Sequence, residues 1–156
     1  MEFELSFKPL IHRSEDYQNS QLGRNIMAYT NGDFPNLAEA DLVIFSVPEY
    51  RGTPHNSEAD SIEKIRRELY KLFEGQERLR IADLGQLILG EKNKDTYQLL
   101  SDVLVECELR NLFALIIGGG QDLTISQYRS CVQLEKLSNM VSFCLLYTSP
   151  SPRDGW

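Results

Sequence analysis

The 156-residue sequence has no long hydrophobic run and no leader-like start. A membrane-spanning helix needs about 20 consecutive apolar residues, and no run approaches that length. The N-terminus, MEFELSFKPL, carries acidic residues where a secretory signal would have a basic region followed by an apolar one. From these absences we expect a cytoplasmic protein without a membrane partner.

Cysteine and basic residues are also scarce. Cys107, Cys131 and Cys144 show no metal-ligand spacing and do not form an even set, so we interpret them as small apolar residues and predict no disulfide. The chain has 16 Lys and Arg against 23 Asp and Glu, a net charge of -7. Nucleic acids require a basic surface that displaces counterions, so we expect no nucleic-acid partner.

The sequence does contain short apolar runs that alternate with helix-like segments. The runs at 41–47, 78–85, 112–117 and 139–143 predict buried strands. Strands separated by amphipathic helices are typical of a parallel sheet covered on both faces, with right-handed crossovers. The alternating FELSF at 3–7 predicts an edge strand.

Apolar residues at helical spacing predict helices whose apolar faces cover the sheet. Ser57 and Asp60 resemble a capping box for the first long helix, and Gly75 is its expected end. The predicted apolar positions are Leu22, Ile26 and Met27 in a short early helix; Ile62, Ile65, Leu69 and Leu72; Tyr97, Leu100, Leu104 and Cys107; and Ile125, Tyr128 and Val132.

Polar and glycine residues follow the predicted strands, where ligands bind in parallel α/β sheets. The residues expected on this rim are Tyr50, Arg51 and Gly52, then Asp83 and Gly85, then Gly118 to Asp122. Successive glycines allow positive φ and close approach of the backbone. Neither Gly-x-Gly-x-x-Gly nor Gly-x-x-x-x-Gly-Lys-Ser/Thr is present, so a nucleotide-binding domain is the weaker alternative.

The order DLVIFSVPEYRGTPHN, IADLGQLILG, a long helix and LFALIIGGGQDLT resembles the N-terminal part of the arginase, agmatinase and formimidoylglutamase superfamily, the ureohydrolases. It is most similar to bacterial formimidoylglutamase-like members. The resemblance implies a three-layer α/β/α fold with a parallel sheet, here truncated after about the fourth strand. It also implies a centre of two manganese ions, a small-molecule amidine substrate of the formiminoglutamate, arginine or agmatine type, and compatibility with a homo-oligomer.

One departure from the family pattern affects the expected metal centre. The family's third strand ends in Gly-Gly-Asp-His, and here Gly120 stands in the aspartate position and Gln121 in the histidine position. A neutral amide oxygen is a weaker ligand than imidazole for a first-row ion. The resemblance leaves Gln121 and Asp122 as the candidate metal residues. The alternatives are a hydrogen bond across the rim for Gln121 and a helix N-cap for Asp122.

Other polar residues give weaker indications. The two histidines, His12 and His55, match no ligand position of the family. We interpret Asp83 as structural, and Arg51 as a surface arginine or as a group that reaches a substrate carboxylate.

The resemblance divides the chain into an N-terminal extension (1–34), an N-terminal part of an arginase-like domain (35–143) and a tail (144–156). Within the tail, CLLYTSPSPRD resembles translated sequencing-adapter read-through. Two functions follow. The chain is the front portion of an amidine hydrolase, inactive by itself and binding no metal, or it is a non-catalytic relative with a decayed metal site that acts as a binding or regulatory protein.

Overall fold

A computed structural model describes residues 3–52, 60–75 and 79–135. The predicted fourth strand at 139–143, His55, Ser57 and the tail lie outside these residues. The strands are β1 (Phe7–Lys8), β2 (Met27–Ala28), β3 (Leu42–Ser46), β4 (Ile81–Leu87) and β5 (Phe113–Ile117). The helices are α1 (Leu22–Asn25), α2 (Asp60–Tyr70), α3 (Asn93–Leu109) and α4 (Thr124–Gln133). Short 3-10 turns span Phe3–Ser6, Ser14–Asp16, Leu37–Glu39 and Gln121–Leu123.

All five strands join one sheet with the order β1-β4-β3-β5, in which β2 also pairs with β4. β2, β3, β4 and β5 run parallel to their partners, and only the short β1 pairs antiparallel. Leu42 of β3 lies between Ile81 of β4 and Phe113 of β5 in the register. The predicted α/β class with a parallel sheet is therefore confirmed.

Helices cover both faces of β3 and β4. Successive side chains of a strand point to opposite faces of the sheet, and the successive apolar residues of β3 make both faces apolar. On one face Val43 and Phe45 belong to a cluster with Leu100 and Val103 of α3. On the other face Ile44 clusters with Ile62 of α2. This is the three-layer α/β/α arrangement that the resemblance implied.

The buried face of α2 agrees with the predicted one only at Ile62 and Leu69. Ile62, Arg66 and Tyr70 are buried, while Ile65 and Leu72 are 52% and 55% exposed. The helix is rotated relative to the predicted apolar stripe because Arg66 and Tyr70 reach a buried carboxylate, described below. The helix also ends at Tyr70, before the expected stop at Gly75.

The prediction for α3 is confirmed, and those for β5 and α4 are partly wrong. Leu100 and Cys107 are buried, and burial raises the pKa of the Cys107 thiol to about 12. In contrast, Phe113 and Leu115 of β5 are 76% and 41% exposed. Within the described ranges β5 is an edge strand, since it pairs only with β3.

On α4 the apolar residues are outside and small polar residues are inside. Ile125, Tyr128 and Val132 are 45%, 59% and 56% exposed. Ser126 and Ser130 are the buried residues of this helix, which packs against α3. The expected apolar contact of α4 with the sheet is therefore wrong.

The N-terminal residues form less regular structure than the sequence suggested. Residues Phe3–Ser6 form a 3-10 turn, and only Phe7–Lys8 pairs with β4 at the sheet edge. The early helix ends at Asn25, and Met27 begins β2. No helix in the described parts of the chain is long and apolar enough to cross a membrane.

Candidate functional site

The loop after β3 and the glycine turn after β5 meet at the carboxyl ends of these neighbouring strands. The backbone N–H of Val47 donates to the carbonyl of Ile117 at 3.1 Å, and the N–H of Gly120 donates to the carbonyl of Glu49 at 2.9 Å. β3 leads towards α2 on one face, whereas β5 leads into α4, which packs beside α3 on the other face. Ligands of open α/β sheets bind at such a divergence of neighbouring loops.

Two glycines allow this close approach of the loops. Gly118 and Gly119 have φ angles of +84° and +86°, which favour glycine, whereas Gly120 has an ordinary φ of -79°. A Cβ at Gly119 would lie 2.2 Å from Leu123 Cδ1 and 2.7 Å from the Val47 carbonyl oxygen. The predicted glycine turn is confirmed at Gly118 and Gly119.

Arg51 and the fully buried Glu49 form an ion pair in the loop after β3. Arg51 Nε donates to Glu49 Oε1 at 3.0 Å, and Arg51 Nη2 donates to Glu49 Oε2 at 2.5 Å. The hydrogen bonds from Arg51 hold the pKa of Glu49 below its usual range, although burial acts in the opposite direction. Glu49 is therefore a buried carboxylate that is paired with the arginine of its own loop and also hydrogen-bonded to Thr96 of α3.

The same guanidinium connects this loop to the N-terminal end of α3. Arg51 Nη1 donates to the carbonyl of Glu91 at 2.6 Å, and Nη2 donates to the carbonyl of Gly90 at 3.0 Å and to Thr96 Oγ1 at 3.2 Å. Most donors of Arg51 are engaged inside the protein. The Arg51 side chain is 41% exposed, as expected for a surface arginine, and this geometry favours a structural role over the alternative of a contact with a substrate carboxylate.

Asp122 lies in the 3-10 turn between the glycines and α4. Its Oδ2 accepts a hydrogen bond from the Tyr97 hydroxyl of α3, and this bond raises the pKa of Tyr97. Its Oδ1 is buried and has no hydrogen-bond partner within the described ranges. A Cβ at Gly52 would lie 2.3 Å from Asp122 Oδ2, so the loop after β3 also packs closely here.

The N-cap interpretation of Asp122 is wrong. Gly120 and Leu123 occupy the N-cap positions of the turn and of α4, and neither position has a side-chain cap. The Asp122 side chain instead bonds to Tyr97 on a neighbouring helix. The Asp122 carboxylate therefore contacts a neighbouring helix and does not cap its own helix.

Gln121 is the first residue of the 3-10 turn and is exposed. Its backbone carbonyl accepts a hydrogen bond from Thr124 Oγ1 at 2.6 Å. No group of three or more His, Cys, Asp or Glu side chains in the described ranges could hold a metal ion. Metal binding by Gln121 and Asp122 therefore stays a prediction.

Asp83 and Gly85 lie inside β4 and not at the rim, which corrects the predicted strand end. β4 continues to Leu87, so Gly90 and Glu91 are the rim residues that follow it. Gly85 has a φ of +84°, and a Cβ there would lie 2.1 Å from the Lys8 carbonyl oxygen. Gly85 thus allows the backbone before Pro9 to approach β4.

Asp83 is fully buried and accepts three hydrogen bonds. Its Oδ2 accepts from Arg66 Nε at 2.9 Å and from the Tyr70 hydroxyl at 2.7 Å, and its Oδ1 accepts from the Gly85 N–H at 2.8 Å. Burial raises the pKa of Asp83, and the charge of Arg66 and these hydrogen bonds oppose that shift. This geometry agrees with the structural role predicted for Asp83.

The sequence analysis did not predict the partners of Arg51 or of Asp83. Glu49 lies three residues after the end of β3 and precedes Arg51 by two residues, a spacing that could have indicated a local ion pair. Arg66 and Tyr70 are one helical turn apart on α2, which could have indicated a shared polar target. Tyr97 gave no such signal, since it fitted the predicted apolar face of α3.

Comparison with known proteins identifies similar folds. Two structures of a Trypanosoma cruzi formiminoglutamase with manganese, one of them oxidised and at pH 8.5, match with TM-scores of 0.54 and 0.53 at 20% and 22% identity. They cover 62% and 65% of this chain and 37% and 41% of their own. An arginase superfamily protein from Trypanosoma cruzi matches with a TM-score of 0.52 at 22% identity, over 65% of this chain and 41% of its own.

These likenesses show that the chain has an arginase-like α/β fold. The chain spans only about two-fifths of the length of these proteins, which are matched over 37% to 41%. Neither a scan against protein-family models nor a search of curated protein sequences gives a match.

Within the described ranges, the rim residues do not by themselves form a ligand set for the manganese found in the two formiminoglutamase structures. One Asp122 oxygen is bonded to Tyr97, and the nearby Glu49 carboxylate is bonded to Arg51. The described ranges offer no further cluster of carboxylate, imidazole or thiolate ligands. A two-metal centre requires several such ligands.

Proposed function

We propose that this chain is the N-terminal part of a ureohydrolase-like protein and forms the scaffold of one side of its site. The rim is the observation that carries this proposal. On an arginase-like sheet, Glu49, Arg51 and the glycine turn hold the two loops together at the position where ligands bind. The Arg51 side chain bonds to Glu49 and to groups at the start of α3, so we assign both residues to shaping the site.

The complete protein would hydrolyse a linear amidine of the formiminoglutamate, arginine or agmatine type. Two features support this proposal: the ordered motifs of the chain and its similarity to formiminoglutamase structures. We propose that the 156-residue chain itself is inactive, because its described donors do not form a metal-ligand set.

An assay with added manganese tests the inactivity. The chain is incubated with formiminoglutamate, arginine or agmatine, and release of formamide or urea is measured with Mn²⁺ and with excess chelator. We expect no difference between the two conditions. Manganese-dependent product formation would overturn the proposal.

Calorimetric titration with Mn²⁺ tests the metal site without requiring activity. We expect no specific binding to the chain. If binding is seen, Asp122→Asn should abolish it only when Asp122 is a ligand. Asp102→Asn is the matched control, since Asp102 is on α3 and accepts a hydrogen bond from Gln98 at an exposed position. Binding that is lost in Asp122→Asn and kept in Asp102→Asn would show a metal site.

A non-catalytic binding or regulatory protein is the second candidate. Gln121 in the histidine position and the bond between Tyr97 and Asp122 favour it, because both weaken metal binding at the rim. Re-sequencing the source DNA through the codon for Phe143 separates the candidates. A reading frame that continues into Asp-x-His-x-Asp and Asp-x-Asp motifs supports the hydrolase, whereas a frame without them supports the binding protein.

A further inference from the structure

Three aromatic rings join the N-terminal segment 10–17 to α2, away from the rim. The His12 and Tyr17 rings stack with centroids 5.6 Å apart, and Tyr70 of α2 meets His12 edge-to-face at 5.2 Å. Tyr17 and Tyr70 also meet edge-to-face at 5.6 Å. We call these three residues the His12 cluster.

The position of Tyr17 in this cluster is tightly defined. A Cβ at Gly23 of α1 would lie 2.7 Å to 2.8 Å from Tyr17 ring atoms. Gly23 therefore leaves the space in which the tyrosine ring sits. The rings of His12 and Tyr17 therefore provide defined contacts between the segment 10–17 and α2.

His12 Nε2 is buried and has no hydrogen-bond partner within the described ranges. The nearby carboxylate of Asp83 is already used, since it accepts bonds from Arg66, Tyr70 and the Gly85 N–H. A protonated imidazole carries a donor on each nitrogen and a positive charge. Protonation at this site would bury a donor without an acceptor, which costs free energy.

Charges of both signs face the His12 cluster. A cavity of about 90 Å³ beside the ring is lined by Glu63, Arg66 and Arg67 of α2. Burial lowers the pKa of His12, against the opposing effects of a hydrogen bond to the Gly23 backbone and of nearby carboxylates. The charged groups facing His12 from its own segment, the 3-10 turn, α2 and β4 are Arg13, Glu15, Asp16, Glu63, Arg66, Arg67 and Asp83.

We propose that the His12 cluster is a pH-sensitive latch: neutral His12 holds the segment 10–17 against α2, and protonation of this half-buried ring at its buried Nε2 releases the segment. The direction of the pH effect follows from the proton balance. Because the folded protein binds this proton less readily than the unfolded chain does, the contribution of His12 to stability is complete above a pH of about 6.5. It is lost as the pH falls below that value.

Histidine NMR measures the titration of the ring directly. The chain has 2 histidines, so His55→Gln leaves a single imidazole signal. We expect the midpoint of His12 to lie below the reference value of about 6.5. A midpoint at or above that value would overturn the proposal.

Unfolding in urea at two pH values measures the energetic consequence. Between pH 7.5 and 5.5, the unfolding constant of the wild-type chain should rise up to about tenfold more than that of His12→Phe, which keeps an aromatic ring. Equal pH dependence in the two proteins would refute the latch. His12→Gln replaces the phenylalanine variant if the latter does not fold.

Amide hydrogen exchange separates local release from general destabilisation. After correction for the intrinsic effect of pH, protection in the segment 10–17 should fall between pH 7.5 and 5.5 in the wild-type chain and not in His12→Phe. Protection of α3 should remain in both proteins. Unchanged protection of the segment 10–17 in the wild-type chain would overturn the proposal.

Discussion

Two aspartates in this protein each pair with an arginine, but in different surroundings. The side chains of Arg66 and Asp83 are 4% and 0% exposed. Those of Arg80 and Asp41 are 59% and 37% exposed, and hydrogen bonds from Arg80 lower the pKa of Asp41 to about 2. Water screens the charges of the exposed Arg80–Asp41 pair. The buried Asp83 carboxylate is instead stabilised by hydrogen-bond donors of the protein.

Arg66→Met tests this dependence. Asp83 would remain buried with only the Tyr70 hydroxyl and the Gly85 N–H as donors. We expect the free energy of unfolding at pH 7 to fall by about 3–5 kcal/mol, the typical cost of leaving a buried charge without its partner. Urea unfolding followed by circular dichroism gives this value.

Arg80→Met is the matched control, because it removes the arginine partner of Asp41, which directly precedes β3. Its effect should be much smaller, since both partners reach solvent. Similar losses for the two variants would contradict the assignment of Asp83 as a buried, protein-solvated carboxylate.

Glycines were easier to predict at the residue scale than ion pairs. A run of glycines after a strand predicts positive φ by local chemistry alone, and Gly118 and Gly119 show it. The role of Arg66 depends on Asp83, 17 residues away on another element. Single-sequence spacing does not encode such a partner, so the sequence alone does not predict this ion pair.

At the scale of elements, α4 shows the limit of periodicity. Its apolar residues Ile125, Tyr128 and Val132 have helical spacing, but all three are exposed. Spacing predicts that a helix has an apolar side, and it does not say which neighbour covers that side. For α3 the same reasoning succeeded, because the sheet lies directly beneath Leu100 and Val103.

The two buried serines of α4 offer a matched pair of substitutions. Ser126 Oγ has no hydrogen-bond partner in the described part of the chain, whereas Ser130 Oγ donates to the Gln127 carbonyl at 2.7 Å. Both changes to alanine gain a similar helix propensity. The Ser126→Ala variant should therefore have a free energy of unfolding about 1 kcal/mol higher than that of the Ser130→Ala variant.

Chemical unfolding of the two variants measures this difference. The comparison does not depend on the absolute effect of alanine, since both positions lie in the same helix. Greater destabilisation by Ser126→Ala than by Ser130→Ala would show that the Ser126 hydroxyl has a partner of its own.

At the scale of the whole molecule, the sequence predicted the parallel sheet and its two helical layers but not the strand order. β3 lies in the middle, and the chain passes from β4 to β5 across it. The apolar runs at 41–47 and 78–85 predict strands, but they do not indicate which strands pair with each other. The resemblance to ureohydrolases supplied the architecture, and the structure supplied the contacts between the loops at the rim.

The open edge of β5 predicts self-association of the chain. Phe113 is 76% exposed on a strand that has a single partner within the described ranges, and an apolar edge strand pairs readily with another chain. We expect the wild-type chain to form larger species as its concentration rises in sedimentation velocity. Phe113→Lys should weaken this association about tenfold or more, because burial of a phenylalanine side chain contributes roughly 1.5–3 kcal/mol.

Leu5→Lys is the control for this effect, since Leu5 is 67% exposed and lies in the N-terminal 3-10 turn, not on β5. If apolar exposure alone drives association, the two lysine variants should behave alike. If the sheet edge drives it, only Phe113→Lys should shift the distribution towards monomer. A wild-type chain that sediments as one monomer at all concentrations and unfolds in one cooperative transition would contradict the prediction, because the edge of β5 would then not mediate association.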